Sequence, residues 1–252
     1  MRGSLAFALL GLSTTALAQA PGKFPPDSLV NTKVIPHNTP VINVVGIMRN
    51  FAGDLGVRCQ FCHVGREGQP LAQFDFVSDE KRTKLVARQM MLMVQEVNRR
   101  VDTLPGRTVN GLQVTCATCH HGVSKPTPLY AIIVDAGTAG GPDSAVMLYR
   151  ALRERYYGRD SYDFGEQSLN TAAFRLGRAG KFDAALAVLK LNEESFPRSS
   201  GIYLFRGNVE LMRGDTTAAA TAFREAIRRD STNGEARGRL RDIGRPPSHD
   251  HR

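Results

Sequence analysis

LGVRCQFCHVG at residues 55–65 and LQVTCATCHHG at residues 112–122 decide how the rest of the chain reads. Leu, Val, both Cys, the His that follows them and the closing Gly recur in the same places, so the two stretches read as copies of one unit. All four cysteines fall inside these copies, as Cys59 and Cys62 in the first and Cys116 and Cys119 in the second. That leaves no dispersed set for a disulfide framework. In a C-x-x-C-H site both thiols bond covalently to the vinyl groups of one haem, and the His is held beneath the ring as proximal iron ligand. His63 and His120 occupy that place here. A four-thiol zinc site separates its pairs by about 15–20 residues, whereas 53 residues lie between Cys62 and Cys116. Zinc also gives no reason for a His directly after each pair. The motifs therefore point to two covalently attached haem c groups and disfavour zinc or paired redox thiols.

Each haem then needs a ligand on its other face. Asn38-Thr39-Pro40 reads as a helix start, with Thr39 as cap and Pro40 at the first helical position. Val41, Val45, Met48, Ala52 and Leu55 follow at spacings of four, three, four and three, which is one apolar helical face. Met48 stands eleven residues before Cys59, so a helix and a turn would fold its soft thioether sulfur over the haem. A second helix is expected from Ser78-Asp79-Glu80, with a cap and acids in its first turn. Val86, Met90, Met93 and Val97 form its stripe. Spacing alone does not choose between Met90 and Met93, because Met stripes also serve as packing. His121, next to a proximal ligand, reads as exposed or touching a propionate, and His37 reads as a loop residue.

With these residues in hand, the region from about 30 to 128 resembles the cytochrome c subunit of photosynthetic reaction centres and its short relatives. The blocks that carry the resemblance are MRNFAGDLGVRCQFCHVG, KLVARQMMLMVQEVN and VTCATCHHG, in that order. The resemblance implies that a Met in the helix before each motif is the distal iron ligand. By position these are Met48 for the first haem and Met90 for the second, with Met93 a packing residue and second choice. The stretch RRVDTLPGRTVNGLQVT contains no His, so the His-ligated haem of that family has no counterpart here. The family's four haems contrast with motifs for two.

The flanks set the context. Arg2, the apolar run Leu5–Leu12 and Ala18-Gln19-Ala20 read as a cleaved signal peptide over residues 1–20. Export places the protein in the periplasm, free or at the outer face of the inner membrane. No cysteine stands at the cleavage site to carry a lipid. The formal charge of +9 suits steering towards an acidic redox partner, and nucleic acid is not expected as a partner outside the cytoplasm.

Beyond the haem domain, assigned to residues 25–128, a Pro- and Gly-rich linker is expected over 129–142. A helix over Asp143–Tyr157 then leads into a 34-residue repeat, in which Gly180 pairs with Gly214, Ala185 with Ala219 and Leu189 with Phe223. This resembles tetratricopeptide repeats, with helices near 166–178, 181–194, 200–213 and 216–229 and a closing helix near Glu235–Ile243. The repeat domain spans 143–245, and a polar tail covers 246–252. The repeats serve either as a structural extension or to dock a partner or a second copy. The fold class expected is mainly α. The function expected is electron transfer between redox proteins, a membrane reaction centre or respiratory complex among them, rather than catalysis. A dihaem peroxidase-like oxidoreductase and a repeat scaffold with structural haems are the alternatives.

Overall fold

The computed structural model describes residues 22–106 and 111–244. The expected signal peptide and polar tail lie outside the described residues. The protein is mainly α-helical, and among the described residues its extended pairing is limited to one antiparallel bridge, Val64 with Asp75. Among them, no helix is long and apolar enough to cross a membrane. The chain divides into two units: one holds residues up to Gly53 with Val57–Thr115, the other Asp54–Gly56 with everything from Cys116 onward.

In the first unit, α1 runs over Val41–Leu55, its last residues counted with the second unit, and α2 over Arg82–Val101. The Pro40 carbonyl takes the first hydrogen bonds of α1, from Asn43 and Val44, as a Pro at the helix start permits. The helix α2 begins later than expected. Lys81 is its N-cap, no side chain caps it, and no acid lies in its first turn. Asp79 is instead used outside the helix, paired with Lys84 at 3.2 Å and Arg88 at 2.8 Å.

This unit has little core of its own. Among its described residues only Val44 and Lys84 are buried, while Leu85, Val86, Leu92 and Met93 stand 42–48% exposed along one side of α2. A chain segment of this size normally folds around a substantial apolar interior.

The second unit is built conventionally. It comprises α3 (Cys116–His120), α4 (Leu129–Tyr156), α5 (Glu166–Arg178), α6 (Phe182–Ser195), α7 (Ser200–Arg213), α8 (Thr216–Arg229) and α9 (Gly234–Ile243). The last five lie where the repeat pattern places them. Each of α4 to α8 packs on the helix that follows it, and α9 closes the stack on α8. Leu169, Leu176, Val188, Leu189, Ile202 and Val209 are fully buried between them, with Phe223 and Ala219 in a second cluster. Small residues set the spacing: a Cβ on Gly207 would sit 2.4 Å from the Phe223 ring. Gly180 and Gly214 both take the left-handed conformation after their helices, with φ of 72° and 91°, the usual role of Gly there.

Two expectations are corrected. The stretch 129–142 is not an irregular linker, because α4 starts at Leu129 and runs on to Tyr156, with a kink at Gly141 (φ 74°, ψ −166°) before Pro142. Leu129, Ile133 and Gly137 face the core at helical spacing, and Gly137 lies against Leu176 and Ala184. Packing overrides the Pro and Gly punctuation. The second Cys pair also falls in the helical unit rather than with the first motif. The turn after α3 ties it there, through Gly122 N–H to the Asp54 carbonyl at 2.9 Å and Ser161 Oγ to the His121 carbonyl at 2.7 Å.

Candidate haem sites

The first motif is a tight 3-10 turn. Cys59–Phe61 forms it, and the Cys59 carbonyl accepts from both Cys62 N–H and His63 N–H, at 3.2 and 2.9 Å. The turn therefore places the imidazole directly after the second thiol. Lys81 donates to the Gln60 carbonyl and Thr83 to the Phe61 carbonyl, which pins the turn to the start of α2. Phe76 packs edge-on to the His63 ring at 4.9 Å and is itself flanked by Phe24 and Phe74. His63 Nδ1 is buried without a hydrogen-bond partner. Burial first, and then the charges of Lys84 and Arg88, lower its pKa to about 4. The ring is thus neutral at physiological pH, the form in which imidazole binds a metal.

Lys84 explains how the loop before α2 is held. Its buried ammonium donates to the carbonyls of Phe76, Val77 and Ser78 at 2.9, 3.1 and 2.8 Å and pairs with Asp79. Asp79 is drawn down to about 2, chiefly by the hydrogen bond from Arg88. Asn31 Nδ2 adds bonds to the Val77 carbonyl and Asp79. Replacing Lys84 by Met keeps the stem but strands the Phe76 and Ser78 carbonyls and leaves the Val77 carbonyl to Asn31 alone. The expected cost is about 2–4 kcal/mol, read as a lower midpoint in chemical denaturation. An unchanged midpoint would show that the loop is held by other means.

Met48 lies half-buried on α1, on the same face as the half-buried Val45 and Ala52, with Ile42 and Arg49 turned to solvent. On α2, Met90 is half-buried and Met93 is 47% exposed.

The second motif is helical. Cys116–His120 forms α3, and His120 is buried. The chain then turns sharply: His121 has φ 48° and Gly122 φ 78°. This reversal brings the Val123 carbonyl to 2.9 Å from His120 Nδ1. An Nδ1–H donated there fixes the tautomer and leaves the Nε2 lone pair for a metal. His121 itself is exposed, and His37 bonds Thr32 Oγ1 in a loop at 2.9 Å.

All four thiols are unpaired. Burial first pushes the Cys62 and Cys116 pKa values up, with Asp54 adding to the effect at Cys116. These two are therefore protonated thiols in the chain without a bound group. Among the described residues no three His, Cys, Asp or Glu side chains gather into a ligand set for a bare metal ion. The donor chemistry fits haem: two thiols and a His per motif, one His with its tautomer fixed, and a first unit whose apolar side chains lack an interior.

Sequence comparison agrees on the class. Cytochrome c-554 of Chloroflexus aurantiacus is 39% identical over 71 residues, which cover 28% of this chain and 15% of that protein. The photosynthetic reaction center cytochrome c subunit of Thermochromatium tepidum is 36% identical over 90 residues, covering 32% of this chain and 21% of that one. Together with the helical fold, these similarities support a c-type cytochrome, the class whose cofactor is covalently bound haem c. More narrowly, residues 69–147 match the family described as photosynthetic reaction centre cytochrome C subunit. The matched segment contains α2, the second motif and the first part of α4. The matches span about a fifth or less of the two relatives' own lengths.

Sequence reasoning missed Lys84, Phe76 and the Val123 carbonyl. Only the aromatic cluster Phe74–Phe76 left a trace in the sequence; a backbone acceptor leaves none.

Proposed function

We propose that the protein is an exported dihaem c-type cytochrome that passes electrons between redox proteins, a membrane reaction centre or respiratory complex among them. The observation that carries this reading is the second motif, where His120 is buried and oriented by the Val123 carbonyl with Nε2 left over. When bound, haem supplies a one-electron iron couple. The residues of the chain do the rest. Cys59 and Cys62 anchor one group and Cys116 and Cys119 the other. His63 and His120 serve as proximal ligands. Met48 and Met90, assigned from the family resemblance, serve as distal ligands, with Met93 packing.

A His and a Met bound to each haem would leave no iron position open to a substrate, which favours electron transfer over peroxidase chemistry. The exposed apolar side of α2 and the sparse interior of the first unit support a group that supplies much of its own core. The helical pairs of the second unit resemble tetratricopeptide repeats, and we assign them to docking a partner protein or a second copy. Residues 1–20 direct the chain to the periplasm.

A redox titration with visible spectra, on chain matured in a periplasm with haem-attachment machinery, tests the reading. Two low-spin haems per chain that ignore carbon monoxide are expected. A high-spin haem that binds carbon monoxide and turns over peroxide would replace electron transfer with catalysis.

A further inference from the structure

The turn that closes the second motif also walls a pocket of about 250 Å³ inside the second unit, lined by Val123, Lys125, Arg155, Tyr156, Tyr162 and the backbone at Gly56. The pocket floor depends on a close backbone approach. Gly56 has φ 62°, and a Cβ there would lie 2.0 Å from the Gly122 carbonyl oxygen. Tyr156 and Tyr162 meet edge-on at 5.2 Å, and the Arg155 guanidinium lies over the Tyr156 ring at 5.1 Å. Burial raises the Tyr162 pKa, so its hydroxyl remains a donor.

What the pocket lacks is an acid. No Asp or Glu lines it, and among the described residues neither Lys125 nor Arg155 forms an ion pair. Elsewhere in the unit several arginines do have acid partners: Arg150 with Glu194, Arg206 with Glu193, Arg228 with Glu225. Two unmatched cations and two phenols in one recess are a site for an oxyanion, which pairs best with a guanidinium and hydrogen-bond donors.

We propose that this pocket holds a propionate carboxylate of the haem carried by Cys116 and Cys119, with Arg155 and Lys125 as its counter-charges. The inference rests on the haem reading above. The lining segment Gly122–Lys125 begins two residues after His120 and includes Val123, whose carbonyl orients that ring. Pocket and proximal ligand are therefore parts of one turn, and a carboxylate fixed in the pocket would fix the haem edge relative to His120.

The test uses the holoprotein and the double variant Arg155→Gln, Lys125→Gln. Losing both cations leaves an uncompensated negative charge beside one iron, which favours the ferric state. One of the two reduction potentials is expected to fall, the other to stay, with haem count and low-spin spectra unchanged. Arg155→Lys, which keeps the charge, should retain most of the wild-type potential. If neither potential moves, or both move together, the assignment is wrong.

Inorganic phosphate serves as the probe for a free anion. Titrated into wild type against chloride at equal ionic strength, it should produce no shift of its own. A saturable phosphate shift that disappears in the double variant would mean the pocket takes a free oxyanion, overturning the haem assignment while leaving the dihaem reading intact. A wild-type chain whose mass shows no haem on Cys116 and Cys119 would overturn both.

Discussion

Replacing Cys116 and Cys119 by Ala is expected to yield a folded chain with one covalent haem instead of two, while replacing Cys59 and Cys62 costs a haem and the first unit with it. The asymmetry follows from where the apolar interior lies. The second unit buries Leu129, Ile133, Leu169, Leu176, Val188 and Leu189 without help from a cofactor. Losing the thioether bonds proposed for it would remove a haem but leave α4 to α9 packed. The first unit has Val44 and Lys84 as its buried side chains among the described residues, and the apolar groups on α2 stand open. Chain entropy of about 1–2 kcal/mol per ordered residue is not offset by so little burial, so this unit is expected to depend on the group proposed for its thiols.

Intact mass and absorbance per chain give the haem count, and far-ultraviolet circular dichroism gives the helix content. In the first variant the count should halve with helix retained. In the second the count should halve and the signal of α1 and α2 should be lost. Equal helix loss in both variants would show that α2, which carries Met90, leans on the second haem as much as on the first. Full haem content in either would remove that thiol pair from the site.

Much of this architecture was legible in the chain. The 34-residue period located α5 to α9 closely, because Gly180, Gly214, Ala185 and Ala219 report fixed demands of turn and close packing. The C-x-x-C-H motifs stand out in the chain because the covalent attachment proposed for them would tie residue type to spacing. What failed were punctuation rules. Gly140, Gly141 and Pro142 read as a linker, yet they only kink α4, since Leu129 and Ile133 gain more by burial than the break costs. Ser78-Asp79-Glu80 read as a cap, yet Asp79 pairs with Lys84 and Arg88, a partnership set by how the loop folds back. Lys84 looked like one surface cation among many; nothing in a single sequence marks a lysine whose ammonium ends on three carbonyls. The oxyanion pocket was equally invisible, since Gly56, Lys125, Arg155 and Tyr162 are far apart in the chain.

The axial Met assignments give the last large effect. Met48→Ala and Met90→Ala should each abolish one low-spin Met-ligated signal and open one iron to carbon monoxide, whereas Met93→Ala should leave both signals in place. A thioether ligand favours the ferrous state, so the affected haem should also show a lower reduction potential in each of the first two variants. Met48 is half-buried on the same face of α1 as Val45 and Ala52, so truncation removes a ligand without opening a large cavity in an apolar core. Met93 is 47% exposed, and its loss should cost little stability. Near-infrared absorbance or electron paramagnetic resonance of the oxidised protein counts the Met-ligated irons directly. Loss of the second signal in Met93→Ala with retention in Met90→Ala would transfer the ligand by one helical turn on α2. Retention of both signals in all three variants would mean that the distal ligands lie elsewhere, and catalysis at an open iron would again compete with electron transfer.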